Sequence, residues 1–451
     1  MDTEVGLGAA TEPMDSVQDV VRHNFIHESL FSVMNGVLVG MILYSSQVIA
    51  KTCLDASPTH LAFLTSAFPC GAFLGTLWAA LGRRWGMHQL VLRMALLCNL
   101  PLFFIPWCKD SAIASPATLF TILMTCSLLL FSAVRMGQSS LYRSTYPLAV
   151  RGRILGWLIF WLFLSQVPTA WLAGRLVDRH LGNPDYYRWL YPITASFGLI
   201  GCLFFARLRL LDQPPANRPP SRWGQHWRQI FVVLKRDHSF RTFQIGYFLN
   251  GAAFFMSSIV LISLCNDDLH MEAWELALVT AVIPQLVLAL ASPLWGRILD
   301  RLGIVRMRVL ICMVMTIYLG CFFVGLQWHW WWLIYLGAFL RGISEGGGQV
   351  TWALASVQFA PHSEDVPTYN SIHFTLNGIR GLVMPWVGIQ LMGVMGAWTV
   401  LVATGVSALS IFVGLNLARS FTRSMQPNKN ALRAHSSASS HRQTGTAQAS
   451  S

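Results

Sequence analysis

Arg341 and Glu345 stand four residues apart in an otherwise apolar, glycine-rich stretch, and that spacing puts both on one face of a helix. Side by side they neutralise each other, and Gln349 carries the polar stripe one turn further. Other polar residues sit in equally apolar surroundings: Arg135 with Gln138, Arg380 with Asn377, and His373 seven residues before Arg380 on roughly the same face. Placing an ionised side chain in hydrocarbon is costly, so such residues face a cavity or a partner. Three arginines against one glutamate leave an excess of positive charge, which suits a carboxylate or phosphate gripped bidentately by guanidinium. Each residue also has a plainer reading. Arg135 can snorkel to the nearer interface, Glu345 can be a counter-ion or a proton carrier, and His373 can be a group that responds to pH or a neutral, hydrogen-bonded histidine. Nothing in the chain has the pattern of an enzyme's nucleophile, a metal cluster or a phosphate-cradling glycine loop, so neither catalysis nor a cofactor is expected.

The elements that must position these residues follow from composition. Of the 451 residues 54% are hydrophobic and only 12% charged, too few charges to cover a soluble surface of this length. A helix crosses the roughly 30 Å of bilayer hydrocarbon with about 20 mostly apolar residues, and by that measure about twelve spans are expected. They fall near 30–50, 60–82, 90–107, 117–141, 154–176, 189–209, 242–264, 274–296, 307–327, 330–356, 370–392 and 397–418. The expectation is an all-α membrane protein with two six-helix bundles, 22–210 and 242–420. A basic linker, 211–241, joins them, and disordered termini, 1–21 and 421–451, flank them. Gly346-Gly347-Gly348 makes the tenth span deformable and open to close approach.

The net charge of +12 is placed as a topological signal, not as a nucleic-acid footprint. Arg83 and Arg84, Arg151 and Arg153, the linker arginines, and Arg297, Arg301, Arg306 and Arg308 fall on one side, whereas Lys51, Lys109, Arg175, Arg179 and Arg188 fall opposite. Both termini and the linker are therefore expected to be cytoplasmic, most simply in a bacterial inner membrane, with the first span as its own insertion signal. Linker residues Trp223 to Lys235 read as an ordinary basic loop, with a basic amphipathic helix on the inner leaflet as the alternative. Most cysteines lie within spans. Cys53, Cys108 and Cys265 face outward, and their spacing leaves a disulfide open.

The chain is also built twice. Trp78 and Gly86 recur as Trp295 and Gly303 at one constant spacing of 217 residues, and Asn35-Gly36 recurs as Asn250-Gly251 in a neighbouring register. After the eighth span comes Gly296-x-x-x-Asp300-Arg301-x-Gly303, and its shadow after the second has Ala79 and Arg83 at the glycine and aspartate positions, with Arg84 and Gly86 retained. Two six-span halves, a long basic central loop and this loop motif together resemble the major facilitator superfamily of transporters, over about residues 22–420. The resemblance implies alternating access around a cavity lined by the first, fourth, seventh and tenth spans. Asn35, Arg135, Asn250, Arg341, Glu345 and Gln349 fall on those spans. It also implies that Gly296, Asp300, Arg301 and Gly303, with Arg83, Arg84 and Gly86, form a cytoplasmic gate, in which the family's aspartate latches the outward-facing state.

The expected function is secondary transport of a small organic anion or zwitterion. Arg341, Glu345, Arg380, Arg135, Asn35, Asn250 and Gln349 are the substrate-binding candidates, and Glu345 and His373 the candidates for coupling to protons. The expected partners are the lipid bilayer and the cargo, without nucleic acid, and the protein is expected to act as a monomer. Two alternatives stay open: proton-coupled efflux of amphiphilic or cationic compounds through Glu345, and a transporter-like sensor or scaffold. A glycine-proline pair followed by paired glycines, the drug/proton antiporter signature, is missing from Ser165 to Thr169.

Overall fold

In hydrocarbon the backbone must satisfy its own hydrogen bonds, which restricts apolar stretches of this length to helices. The computed structural model describes residues 14–109, 114–179, 187–211, 223–271, 275–276 and 278–425; the expected tail from 426, residues 1–13 and linker residues 212–222 lie outside the described residues. No strand occurs among the described residues.

In the first half α1 (Met14–Val39) continues through a π-helical turn, Gly40–Ser45, into α2 (Ser46–Leu54). Next come α3 (Pro58–Phe73) and α4 (Gly75–Trp85), one span bent by 53° between the two. Pro69 lies inside α3 near that bend, where its missing N–H weakens the helical ladder. α5 (Met87–Asn99), α6 (Pro116–Thr145), α7 (Leu148–Arg179) and α8 (Tyr187–Phe205) complete the bundle.

The amphipathic stretch of the linker is helical, α9 (Trp223–Arg236), where an ordinary loop was expected. The second half comprises α10 (His238–Asp267), α11 (Ile283–Trp328), α12 (Trp331–Phe359), α13 (Val366–Met395) and α14 (Trp398–Met425). α1 starts at Met14, inside the segment expected to be disordered.

Among the described residues nine helices are long and apolar enough to cross a membrane, or ten with the bent pair taken as one span. The expected twelve needs two further steps: dividing Leu278–Trp328 at Gly303, whose φ of 74° and ψ of 167° break the helix, and adding α12, which is interrupted by charge.

The internal repeat is visible in the backbone. Gly86 and Gly303 both have positive φ, 84° and 74°, the conformation that only glycine adopts without strain. Buried Trp78 and Trp295 also match. The Trp78 indole donates to Gly71 O and to Ser132 Oγ on α6, and the Trp295 indole donates to Ile343 O on α12. One apolar cluster fills the first half and continues through Leu288, Trp295 and Leu299 into α11; a second, around Met256, Tyr318, Phe322 and Ile334, belongs to the second half. The halves meet where α7 crosses the first arm of α11 and where α3 and α4 cross α13. Cys108 and Cys265 are unpaired buried thiols, so neither takes part in the disulfide that the sequence leaves open.

Candidate functional site

Between the halves lies a cavity of about 270 Å³, walled by α1, α3, α6 and α7 from the first half and α10 to α13 from the second. Its wall is mostly aromatic and aliphatic, with Phe68, Phe131, Phe254, Phe255 and Trp352 among the lining side chains. The polar exceptions are Arg135, Gln166, Asn250, Arg308, Ser344, Glu345, Gln349, Asn377 and Arg380.

Arg308 and Arg380 form the centre of the site. Their guanidinium carbons lie 4.0 Å and 5.1 Å from the centroid of the Tyr247 ring, and Arg380 lies 5.4 Å from Phe255 as well. Arg308 Nη2 donates to Asn250 Oδ1 at 2.5 Å, and Arg380 donates to Tyr247 O at 2.7 Å and to Asn377 Oδ1. Gly251 is what lets Arg380 lie there, because a Cβ on Gly251 would overlap the guanidinium. Both arginines are about 95% buried, and the Nε of each has no acceptor. Among the described residues no carboxylate pairs with either, although guanidinium has five donors and no way to shed its charge.

The pair expected on α12 forms: Arg341 Nε donates to Glu345 Oε1 at 2.6 Å, with the Arg341 guanidinium 5.5 Å from the Phe254 ring. Glu345 and Gln349 reach the cavity wall, and Arg341 does not itself form part of it. Arg135 lines the cavity 5.3 Å from the Trp352 ring centroid. Its Nη1 donates to Gln138 Oε1 at 3.2 Å, and Gln138 Nε2 donates to Glu28 Oε1 at 3.1 Å. The Tyr146 hydroxyl donates to Glu28 Oε2 at 2.7 Å.

Asn35 is buried away from the cavity wall, while its repeat partner Asn250 is on it. His373 is buried behind the wall, with Nδ1 3.1 Å from Gln244 Oε1 and its ring edge-on to Tyr247 at 4.6 Å.

One end of the bundle is sealed by hydrogen bonds between the halves. Asp300 Oδ1 and Oδ2 accept the backbone N–H groups of Gly152 and Arg153 near the start of α7, at 2.7 and 2.8 Å, where helix N–H groups favour an anion. Gly152 and Gly296 allow this contact, since a Cβ on Gly296 would strike the Gly152 carbonyl. Arg143 Nη1 donates to Ala360 O at 2.6 Å. Fully buried Asn370 on α13 donates to Met136 O and Ser140 Oγ of α6 and accepts from Ser356 of α12. Near the middle of the bundle Gln166 donates to Gln285 at 3.2 Å. At the equivalent crossing, of α3 and α4 with α13, Gly75 lies against Ser371 O and Gly378 against the backbone of Pro69 and Phe73.

The family model described as Major Facilitator Superfamily matches residues 29–379 and 243–444. The chain belongs to the major facilitator superfamily. It is an integral, multi-pass membrane transporter of that family. Among solved structures it is similar to the human organic anion transporter MFSD10 (TETRAN), with a TM-score of 0.65 and 14% identity over 89% of this chain and 100% of that one. It is also similar to the proton:xylose symporter XylE bound to 6-bromo-6-deoxy-D-glucose, with a TM-score of 0.64 and 12% identity over 88% of this chain and 95% of that one. At such identities the likeness is one of fold. A comparison with curated protein sequences finds no match.

Three residues of the site escape sequence reasoning. Arg308 reads as part of the basic loop after the eighth span, yet it reaches back into the cavity from the start of the arm after Gly303. Glu28 falls just before the expected first span, whose helix in fact starts much earlier. Asn370 carries no charge to mark it. A signal existed for Arg308: it follows Arg306 at a spacing of two, which puts the two on different sides of a helix.

Proposed function

We propose that this transporter carries a small amphipathic organic anion whose charged group docks between Arg308 and Arg380 and whose apolar body lies among the aromatic walls. The observation that carries the reading is the pair of buried guanidiniums flanking Tyr247 with no carboxylate against either and with both Nε atoms unpartnered. A buried cation without a counter-ion is costly, and an incoming carboxylate or sulfonate removes that cost. Asn250 and Asn377 hold the guanidiniums in place, and Arg135 and Gln349 supply polar contacts on other parts of the wall.

Efflux of a cation through Glu345 is disfavoured, because Arg341 already holds that carboxylate at 2.6 Å. That MFSD10 is an organic anion transporter accords with the reading.

In this proposal two bundles, 22–210 and 242–420, rock about the cavity. The sealed end, where the basic loops gather, is cytoplasmic, and both termini and the linker lie on that side, most simply of a bacterial inner membrane. The protein acts as a monomer, and protons are the coupling ion.

Thermal unfolding of the detergent-purified protein tests the anion site, because a ligand of the folded state raises apparent stability. Benzenesulfonate, an anion at any accessible pH, is expected to stabilise the wild type but not Arg308→Gln or Arg380→Gln. Stabilisation by lipophilic cations instead, lost in Glu345→Gln, would replace this reading with cation efflux.

A further inference from the structure

We infer that the cargo is a dianion: an aromatic body with one anionic group between Arg308 and Arg380 of the second half and a second anionic group against Arg135 of the first. The inference rests on the anion site proposed above and names the class of molecule that fills it.

The size of the cavity sets the first limit. An apolar cavity of about 150 Å³ holds one benzene ring, so 270 Å³ has room for a ring with a polar group at either end. Phe68 and Phe131 come to this wall from the first half, Phe254 and Trp352 from the second. A flat, rigid body suits such a wall, since aromatic faces and edges attract one another.

The placement of charge sets the second limit. Arg308 and Arg380 reach the cavity from α11 and α13, and Arg135 reaches it from α6, so guanidinium stands on both sides of the boundary between the halves. Arg135 is only partly buried, and it meets the other half directly: its guanidinium carbon lies 5.3 Å from the ring centroid of Trp352 on α12. Of its five donors one is taken among the described residues, by Gln138 at 3.2 Å. Glu28 lies beyond Gln138, 3.1 Å from its amide, and does not touch the guanidinium. The other N–H groups of Arg135 are left for an acceptor in the cavity.

Three guanidiniums line the wall with one carboxylate, Glu345, and that carboxylate is already held by Arg341. A single sulfonate or carboxylate does not balance this excess. The two ends are unequal. Arg308 and Arg380 are almost fully buried with both Nε atoms unpartnered, so they take the first anionic group. Arg135, more exposed and already bonded to Gln138, adds little for a monoanion that does not reach it. A second anionic group makes Arg135 a charge-assisted partner and turns the cargo into a tie between the halves. Both contacts exist together only when the halves close on the cargo, so a dianion favours that closed form more than a monoanion does.

Calorimetric titration of the detergent-purified, full-length protein at neutral pH and constant ionic strength tests this. The probes are benzenesulfonate, benzene-1,3-disulfonate, benzene-1,4-disulfonate and 4-sulfamoylbenzenesulfonate, which keeps the shape of the 1,4-disulfonate with one charge. At least one disulfonate is expected to bind the wild type about tenfold or more tightly than the sulfamoyl compound, and in Arg135→Gln that gap should shrink below about threefold. Gln138→Glu, which gives Arg135 a carboxylate of its own, should close the gap in the same way and serves if Arg135→Gln fails to fold. Disulfonates no tighter than the sulfamoyl compound, or a gap that survives in either folded variant, overturn the dianion and leave the anion site standing. If none of the four probes binds the wild type, the anion site falls and the dianion with it.

Discussion

In the first half Arg135 is bonded to Gln138 and Gln138 to Glu28, whereas in the second half Arg308 and Arg380 flank Tyr247 with no carboxylate against either. The two halves share a backbone, down to the positive-φ glycines 86 and 303, but not these side chains. The residue 217 places before Arg308 is Val91, and the one 217 places before Arg380 is Phe163. Duplication supplied the frame, and divergence within it gave the second half the unbalanced charge. The first half, in this reading, provides apolar surface and an arginine already engaged by its own neighbours.

The largest expected effect breaks or upholds this division. Arg308→Gln and Arg380→Gln should each weaken benzenesulfonate binding by roughly a hundredfold, about 3 kcal/mol for a buried charged contact, while Arg135→Gln should cost less than about tenfold. Equal losses in a calorimetric titration of the three variants would end the distinction between the halves.

The paired glycines sharpen it. Gly251→Ala displaces the Arg380 guanidinium, so it should lose most of the binding while the unfolding temperature stays near that of the wild type. Gly36→Ala pushes α1 against the Leu162 carbonyl and Ser165 of α7, so it should cost stability instead, roughly 1–3 kcal/mol by overpacking.

The loop motif gives a third comparison. Asp300→Ala should shift the sealed end toward opening by about 2 kcal/mol, the worth of charge-assisted bonds to its two N–H partners, as read by pulsed electron resonance between spin labels on Ala149→Cys and His362→Cys, exposed at that end on opposite halves. Arg83→Ala at the equivalent position should shift it by less than about 0.5 kcal/mol.

The smallest effect concerns the α12 pair. Glu345→Gln removes negative charge from the cavity wall and should tighten benzenesulfonate binding by about threefold; Arg341→Gln, which leaves Glu345 without its partner there, should weaken it by about the same factor.

How much of this was legible in the residues depends on whether charge and hydropathy agree locally. The helical fold, the repeat and the Arg341–Glu345 pair follow from periodicity and spacing, because each is a property of one helix or of one fixed offset. Arg380 stood out because a lone charge in a long apolar run has few explanations.

Arg308 did not, since it follows three basic loop residues, and only the turn at Gly303 brings the next helix back so that this side chain points inward. Glu28 was hidden in a polar approach to the first apolar run, where nothing local tells that α6 covers it. Asn370 is legible only in three dimensions, since its partners Met136, Ser140 and Ser356 come from two other helices.

At two places the crossing of α7 over the first arm of α11 brings bare backbone together, Gly152 on Gly296 and Gly156 on Ser292 and Pro293. Surfaces of this kind have no interlocking knobs. They part like two smooth plates, with no rotamer to reset and little friction, so the speed of the transport cycle at this seam is left to the pins that cross it, and Asp300 is the strongest of them.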